Sequence, residues 1–159
     1  MPQKFHYFSI PVFRSFAIFV PMGRIMAIDY GTKRVGIAVT DPNQIISTGL
    51  DTVHAKDIIA YLKKYFQREQ VDCIVVGEPK QMNATDSEVA VHVNQFVKQL
   101  GKHFPAIPVK RHDERFTSKM AQQAILMSGV KKKDRQNKEL VDMTSAIIIL
   151  QSFMESKNQ

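Results

Sequence analysis

Cysteine is almost absent from this chain: Cys73 is the only one among 159 residues. An internal disulfide is therefore excluded, and so is a metal site built from several thiolates. The thiol falls in the apolar run Cys73-Ile74-Val75-Val76, where a small buried hydrophobe is expected rather than a nucleophile. A reducing, cytoplasmic setting fits this usage. The five histidines show no H-x-x-x-H or comparable spacing, so none is assigned to a metal. His112 reads as a solvated strand residue, with a proton carrier as the alternative. No aromatic stripe suggests base stacking, and no repeat or low-complexity stretch occurs. With seven Gly, seven Pro and 44% hydrophobic residues, the chain has the composition to bury a core.

Residues 1–21 contain no Asp or Glu, yet hold Phe5, Tyr7, Phe8, Phe13, Phe16 and Phe19. Arg14 interrupts the apolar stretch and no small-residue cleavage site follows, unlike a signal peptide. The segment is also too short and broken to span a bilayer, so no membrane role is expected. We read 1–21 as a dispensable extension, of the kind an upstream start codon adds, and 22–156 as one domain. A membrane-touching arm is the alternative.

What the chain does have is positive charge: 22 Lys and Arg against 15 Asp and Glu, a formal +7. Such an excess in a small domain favours polyanions such as nucleic acid, although composition alone does not separate this from ordinary solubility charge. Hydrophobic periodicity supplies the order of elements. Arg24 to Asp29, Val35 to Thr40 and Ile45 to Val53 read as three strands joined by short turns, the first turn being Tyr30-Gly31-Thr32-Lys33-Arg34. Ile58, Leu62, Tyr65 and Phe66 recur at helical spacing; Ile74 to Gly77 is a strand covered on both faces. Val89 to Leu100 predicts a helix ending near Gly101, and Pro108 to Asp113 a fifth strand. Met120, Ala124 and Met127 suggest a third helix, and Glu139 to Met154 a last one. The expected fold is thus α/β and RNase H-like, a five-stranded mixed sheet with helices on both faces.

That order gives the carboxylates a geometry. Asp29 ends the first strand, where a turn cap is the ordinary role for Asp. Asp113 and Glu114 end the fifth, where a surface ion pair would be unremarkable. Asp142 shares a helix face with Ser145, Ala146 and Ile149, so it needs a partner, and Lys138 one turn earlier could be it. If the first and fourth strands are parallel neighbours and the fifth lies beyond, Asp29 and Glu114 finish on one sheet edge, which the last helix can bring Asp142 to. Carboxylates gathered there repel, at roughly 4 kcal/mol per pair at about 4 Å and an effective dielectric of 20. A divalent cation relieves this, and oxygen-only donors suit Mg²⁺ or Mn²⁺ and phosphodiester cleavage.

The run Asp29-Tyr30-Gly31-Thr32-Lys33-Arg34-Val35-Gly36-Ile37-Ala38-Val39-Thr40-Asp41 resembles the opening motif of the YqgF (RuvX-like) family. Gly77-Glu78-Pro79 resembles its G-x-P element, Asp113-Glu114-Arg115-Phe116-Thr117-Ser118 its D-E-R-x-T-S motif, and Lys138 through Asp142 to Ala146 its last K-x-x-x-D helix. The resemblance runs from about Met22 to Phe153. It implies an RNase H-like nuclease, either a Holliday-junction resolvase or a cytoplasmic nuclease maturing the 5′ end of 16S ribosomal RNA. It further implies metal-ligand or catalytic roles for Asp29, Glu114 and Asp142, and less directly for Asp113, since adjacent strand residues face opposite ways. Three departures stand out: Glu78 where an apolar residue is usual, Asn83-Ala84-Thr85 in place of an Asp-Gly pair, and Ser145 for one of two alanines.

Lys33, Arg34 and Arg115 flank the proposed edge and are candidates for phosphate contact. Lys131, Lys132, Lys133, Arg135 and Lys138 form a second basic cluster, readable as a phosphate track or as a solvated loop. The expected partner is structured RNA or branched DNA, with pre-ribosomal particles a further candidate. Two rivals remain. Asp-x-Gly-Thr also opens sugar-kinase and actin-like ATPases, which need a second similar half, and a non-catalytic nucleic-acid-binding factor would need no ion.

Overall fold

The structure is a computed structural model and describes residues 22–78, 86–113 and 138–157. The N-terminal segment 1–21, Glu114, Arg115, the expected helix around Met120 to Met127, and Lys131, Lys132, Lys133 and Arg135 all lie outside the described residues.

Three strands come first: β1 (Arg24–Tyr30), β2 (Arg34–Thr40) and β3 (Ser47–His54). A 3₁₀ turn (Ala55–Asp57) leads into α1 (Ile58–Phe66), followed by β4 (Val71–Glu78), α2 (Asp86–His103) and β5 (Val109–Asp113). The last described element is α3 (Lys138–Lys157). The strands form one mixed sheet in the order β3-β2-β1-β4-β5, antiparallel from β3 to β1 and parallel from β1 to β5.

Alternation along the central strands builds two cores. Met26 and Ile28 of β1, with Ile74 and Val76 of β4, join Ile58 and Leu62 of α1 and Val93, Phe96 and Leu100 of α2. Ile25 and Ala27, with Cys73 and Val75, instead meet Ala146, Ile149, Leu150 and Phe153 of α3. The sheet is therefore covered on both faces, as a strand buried on both sides requires. Cys73 is buried in the second core, and burial pushes its thiol up, away from nucleophilic use.

The expected elements occur, with boundary differences that have local causes. β3 begins at Ser47, not Ile45, because the Asp41 carboxylate accepts the backbone N–H groups of Asn43, Ile45 and Ile46 and holds them in a loop. Gln44 there takes a positive φ of 56° and donates to the Gly23 carbonyl at 2.7 Å, leaving Ile45 and Ile46 exposed. The β1–β2 connection shortens to Gly31–Lys33, closed by Gly31 N–H donating to the Arg34 carbonyl at 3.0 Å. A Cβ on residue 31 would sit 2.6 Å from that oxygen, so only glycine fits. α2 continues past Gly101 to His103; nothing lies within 4 Å of where a Cβ would be, and the glycine only weakens the helix.

Candidate active site

The parallel strands β1, β4 and β5 end together: β1 is paired with β4 up to Ile28 and Val76, and Glu78 of β4 pairs with Asp113 of β5. Asp29 stands one step beyond Ile28 and shares the parity of Ile25 and Ala27, so it faces α3. Its antiparallel partner on β2 is Gly36. A Cβ on Gly36 would collide with the carbonyl group of Asp142 and come 3.0 Å from the Met143 nitrogen. Glycine in a strand interior marks a close backbone approach, and here the backbone is that of α3. Thr52 reinforces the docking by donating its hydroxyl to the Glu139 carbonyl at 2.8 Å.

This docking brings Asp142 beside Asp29. The Asp29 carboxyl is pushed up to about 6, first by burial and then by the Asp142 charge; the Ser145 hydroxyl, donating to the carboxylate, opposes both. A carboxyl perturbed by burial and a like charge at a sheet edge is a functional-site signature. On its other side Asp142 accepts from Arg34, Nε to Oδ2 at 2.8 Å, with both side chains about one-third exposed or less (35% and 27%). The partner expected for Asp142, Lys138, is replaced by Arg34, 108 residues away in sequence; Lys138 is exposed in the first turn of α3. Asp29, for which a turn-cap role was the ordinary expectation, faces Ser145 and Asp142 instead.

The remaining candidates separate. Lys33 is exposed in the β1–β2 turn. Asp113 shares its strand parity with Arg111, which bonds Asn94 of α2, so the pleat turns Asp113 towards α2 and away from the Asp29 face. Glu78 also belongs to that side, where Arg111 pairs with it at 2.8 Å. His112 faces α3. Expected as a solvated residue, it is half-buried, its Nε2 is 2.8 Å from the Ser152 hydroxyl, and its ring stands edge-on to Phe153. Burial lowers its proton affinity, opposed by Asp113.

Among the described residues no three His, Cys, Asp or Glu side chains cluster as a metal site. The described pair, Asp29 and Asp142, supplies oxygen donors only, and one of the two resists ionisation beside the other. That donor chemistry fits a hard divalent cation. Glu114, the third expected donor, lies outside the described residues. Two further residues shape the site, and each has a signal in the sequence: Gly36, a glycine inside a β-branched strand, and Ser145, one turn beyond Asp142 on the same helix face. Among the described residues no helix is long and apolar enough to cross a membrane.

Comparison with known proteins agrees with this architecture. The family model described as "RuvX: Holliday junction resolvase" matches residues 23–156. A protein of Phocaeicola vulgatus, provisionally named a pre-16S rRNA nuclease, is 57% identical over 136 residues, covering 86% of this chain and 98% of the relative. Among solved structures, the Fowlpox virus resolvase with its Holliday junction DNA superposes with a TM-score of 0.55 at 12% identity, covering 86% of this chain and 99% of that one. The RuvC protein of T. thermophilus with its Holliday junction substrate gives 0.51 at 15% identity, covering 85% and 96%. At such identities these two likenesses speak to the fold, which is RNase H-like.

Proposed function

Because the chain belongs to the RuvX family, we propose that it is a metal-dependent nuclease that hydrolyses phosphodiester bonds in structured nucleic acid, acting at the 5′ end of pre-16S ribosomal RNA. The observation that carries this reading is the meeting of Asp29 and Asp142 across 113 residues of sequence, with Asp29 held to an elevated proton affinity by burial and its neighbour. Two carboxylates gathered this way cost the protein stability unless a cation joins them. The rRNA substrate is supported by the name of the Phocaeicola vulgatus relative at 57% identity. The second reading, resolution of four-way DNA junctions, is supported by the family description.

Asp29 and Asp142 would hold Mg²⁺ or Mn²⁺, with Glu114 as third donor; Asp113, turned to the other face, is left out of that set. When bound, such an ion supplies charge stabilisation to the phosphodiester and lowers the pKa of water. The chain's own residues do the rest. Ser145 fixes one carboxylate by a hydrogen bond, Arg34 fixes the other, and Gly36 lets the helix that bears Asp142 approach. Lys33, Arg115 and the cluster Lys131, Lys132, Lys133, Arg135 and Lys138 would contact phosphates, giving affinity that falls steeply with salt. The cytoplasm, and RNA carried in pre-ribosomal particles, are the proposed setting.

The test is to incubate the purified protein with an RNA spanning the pre-16S 5′ end and with a four-way junction, in Mg²⁺ or Mn²⁺. Asp29→Asn and Asp142→Asn should both abolish cleavage. Cutting that survives in both variants rejects the reading; cutting of the junction alone selects the second substrate.

A further inference from the structure

Arg34 stands at the acidic pair with two possible uses. Its Nε donates to Asp142 Oδ2 at 2.8 Å, yet its side chain remains 35% exposed. The backbone at Asp142 is held independently of this contact, because the helix is seated against Gly36 of β2 and tied to β3 through Thr52 and Glu139. What Arg34 contributes is charge: among the described residues it is the cation paired with Asp142, whose charge raises the proton affinity of the neighbouring Asp29. A divalent ion between those carboxylates would take over that role. The guanidinium would then be surplus, exposed beside Lys33 in the turn, and its planar fork suits a phosphate as well as a carboxylate.

We propose that Arg34 is an exchangeable internal counter-cation, which neutralises Asp142 in the ion-free protein and passes to a substrate phosphate when a divalent ion binds, so that ion and nucleic acid bind cooperatively. This rests on the metal-dependent reading above and adds a coupling to it. By linkage, an ion that frees Arg34 must strengthen nucleic-acid binding, and nucleic acid that engages Arg34 must strengthen ion binding by the same factor. A guanidinium that served only to shape the site would give the opposite sign, since its loss would weaken ion binding.

The test measures Mn²⁺ binding to the full chain by calorimetry, without nucleic acid, for the wild type, Arg34→Met, Arg34→Gln, Arg34→Lys, Asp29→Asn and Asp142→Asn, with circular dichroism to verify folding. Removing the competing charge in Arg34→Met or Arg34→Gln should tighten Mn²⁺ binding by roughly three- to tenfold, while Arg34→Lys stays close to the wild type. In parallel, anisotropy of a phosphorothioate-substituted RNA hairpin should show Mn²⁺ tightening the wild-type complex by about tenfold and the two neutral variants by about twofold at most. Unchanged or weaker Mn²⁺ binding in both neutral variants, or an undiminished Mn²⁺ effect on the hairpin, overturns the exchange. If that happens while Asp142→Asn still loses Mn²⁺, the metal reading stands and only the coupling fails. If Asp29→Asn and Asp142→Asn both bind Mn²⁺ like the wild type, the metal reading itself is wrong.

Discussion

Gly36 of β2 and Asp142 of α3 meet backbone to backbone, so closely that a side chain on residue 36 would overlap the Asp142 carbonyl. Because Gly36 is also the cross-strand partner of Asp29, this one contact decides how near the two carboxylates lie. Gly49 of β3 offers a built-in comparison. A Cβ there would meet the Met143 Cγ at 2.7 Å, its Sδ at 2.8 Å and the Ile147 Cδ1 at 3.1 Å, atoms of flexible side chains rather than of the backbone. Gly36→Ala should therefore displace α3 and destabilise the fold by about 3 kcal/mol, with cleavage reduced at least about 100-fold, whereas Gly49→Ala should cost about 1 kcal/mol. Denaturant melts and single-turnover cleavage of the two variants check this; equal effects would contradict it.

Asp29 makes the fold sensitive to pH in a definite direction. Its folded-state pKa, about 6, lies above the unfolded carboxyl value, so the folded state binds the proton more tightly. The contribution of this group is most favourable below the unfolded pKa of roughly 4, declines as pH rises from there to about 6, and stays at its lower level above. Asp29→Asn, which cannot ionise, should stabilise the ion-free protein by about 1–2 kcal/mol at pH 7.5 and give no such gain near pH 4. Urea melts in EDTA at the two pH values read this out. A variant less stable at pH 7.5 would show that the carboxylate is well accommodated, and the elevated proton affinity misassigned.

The features legible in the sequence were those carried by local pattern. The continuous apolar run Ile74 to Gly77 announces a strand covered on both faces, and three hairpin-spaced strands followed by helix-separated ones announce the mixed sheet. Asp29 is legible at the sheet edge because parallel strands end together there, and Asp142 because the last helix can reach that edge. The ion pair of Asp142 was not legible. Lys138 had the helical spacing, but a partner 108 residues away was chosen by how β2 and α3 pack, which no local periodicity encodes. The start of β3 differs from the expected one for a local reason: Ile45 and Ile46 have strand propensity, and the Asp41 side chain outcompetes the sheet for their N–H groups.

Ser145 lowers the proton affinity of Asp29 by donating a hydrogen bond to its ionised form. Ser145→Ala should raise that pKa further above 6, and ¹³C titration of the Asp29 carboxyl in the ion-free protein would follow it directly. Asn or Thr at position 145 can restore a donor, and Thr should return the value towards that of the wild type. A carboxyl that titrates identically in Ser145→Ala would mean that the hydroxyl faces elsewhere in solution.

If Asp29 and Asp142 share an ion, binding and stability must be linked. An ion that binds the folded chain at 100 times its dissociation constant raises stability by about 2.7 kcal/mol. Mg²⁺ or Mn²⁺ should therefore raise the wild-type Tm by several degrees, since about 1 kcal/mol shifts Tm by roughly 2–8 °C in domains of this size range. Asp142→Asn should show little of this rise, and Asp29→Asn likewise, although the latter starts from a higher ion-free Tm at neutral pH. The two variants thus differ without the ion and keep that difference with it while the wild type alone rises, a pattern that general salt stabilisation cannot produce because it would lift all three proteins alike. Thermal melts in EDTA, Mg²⁺ and matched monovalent salt separate these cases, and an equal rise in both variants would remove the ion from between these side chains.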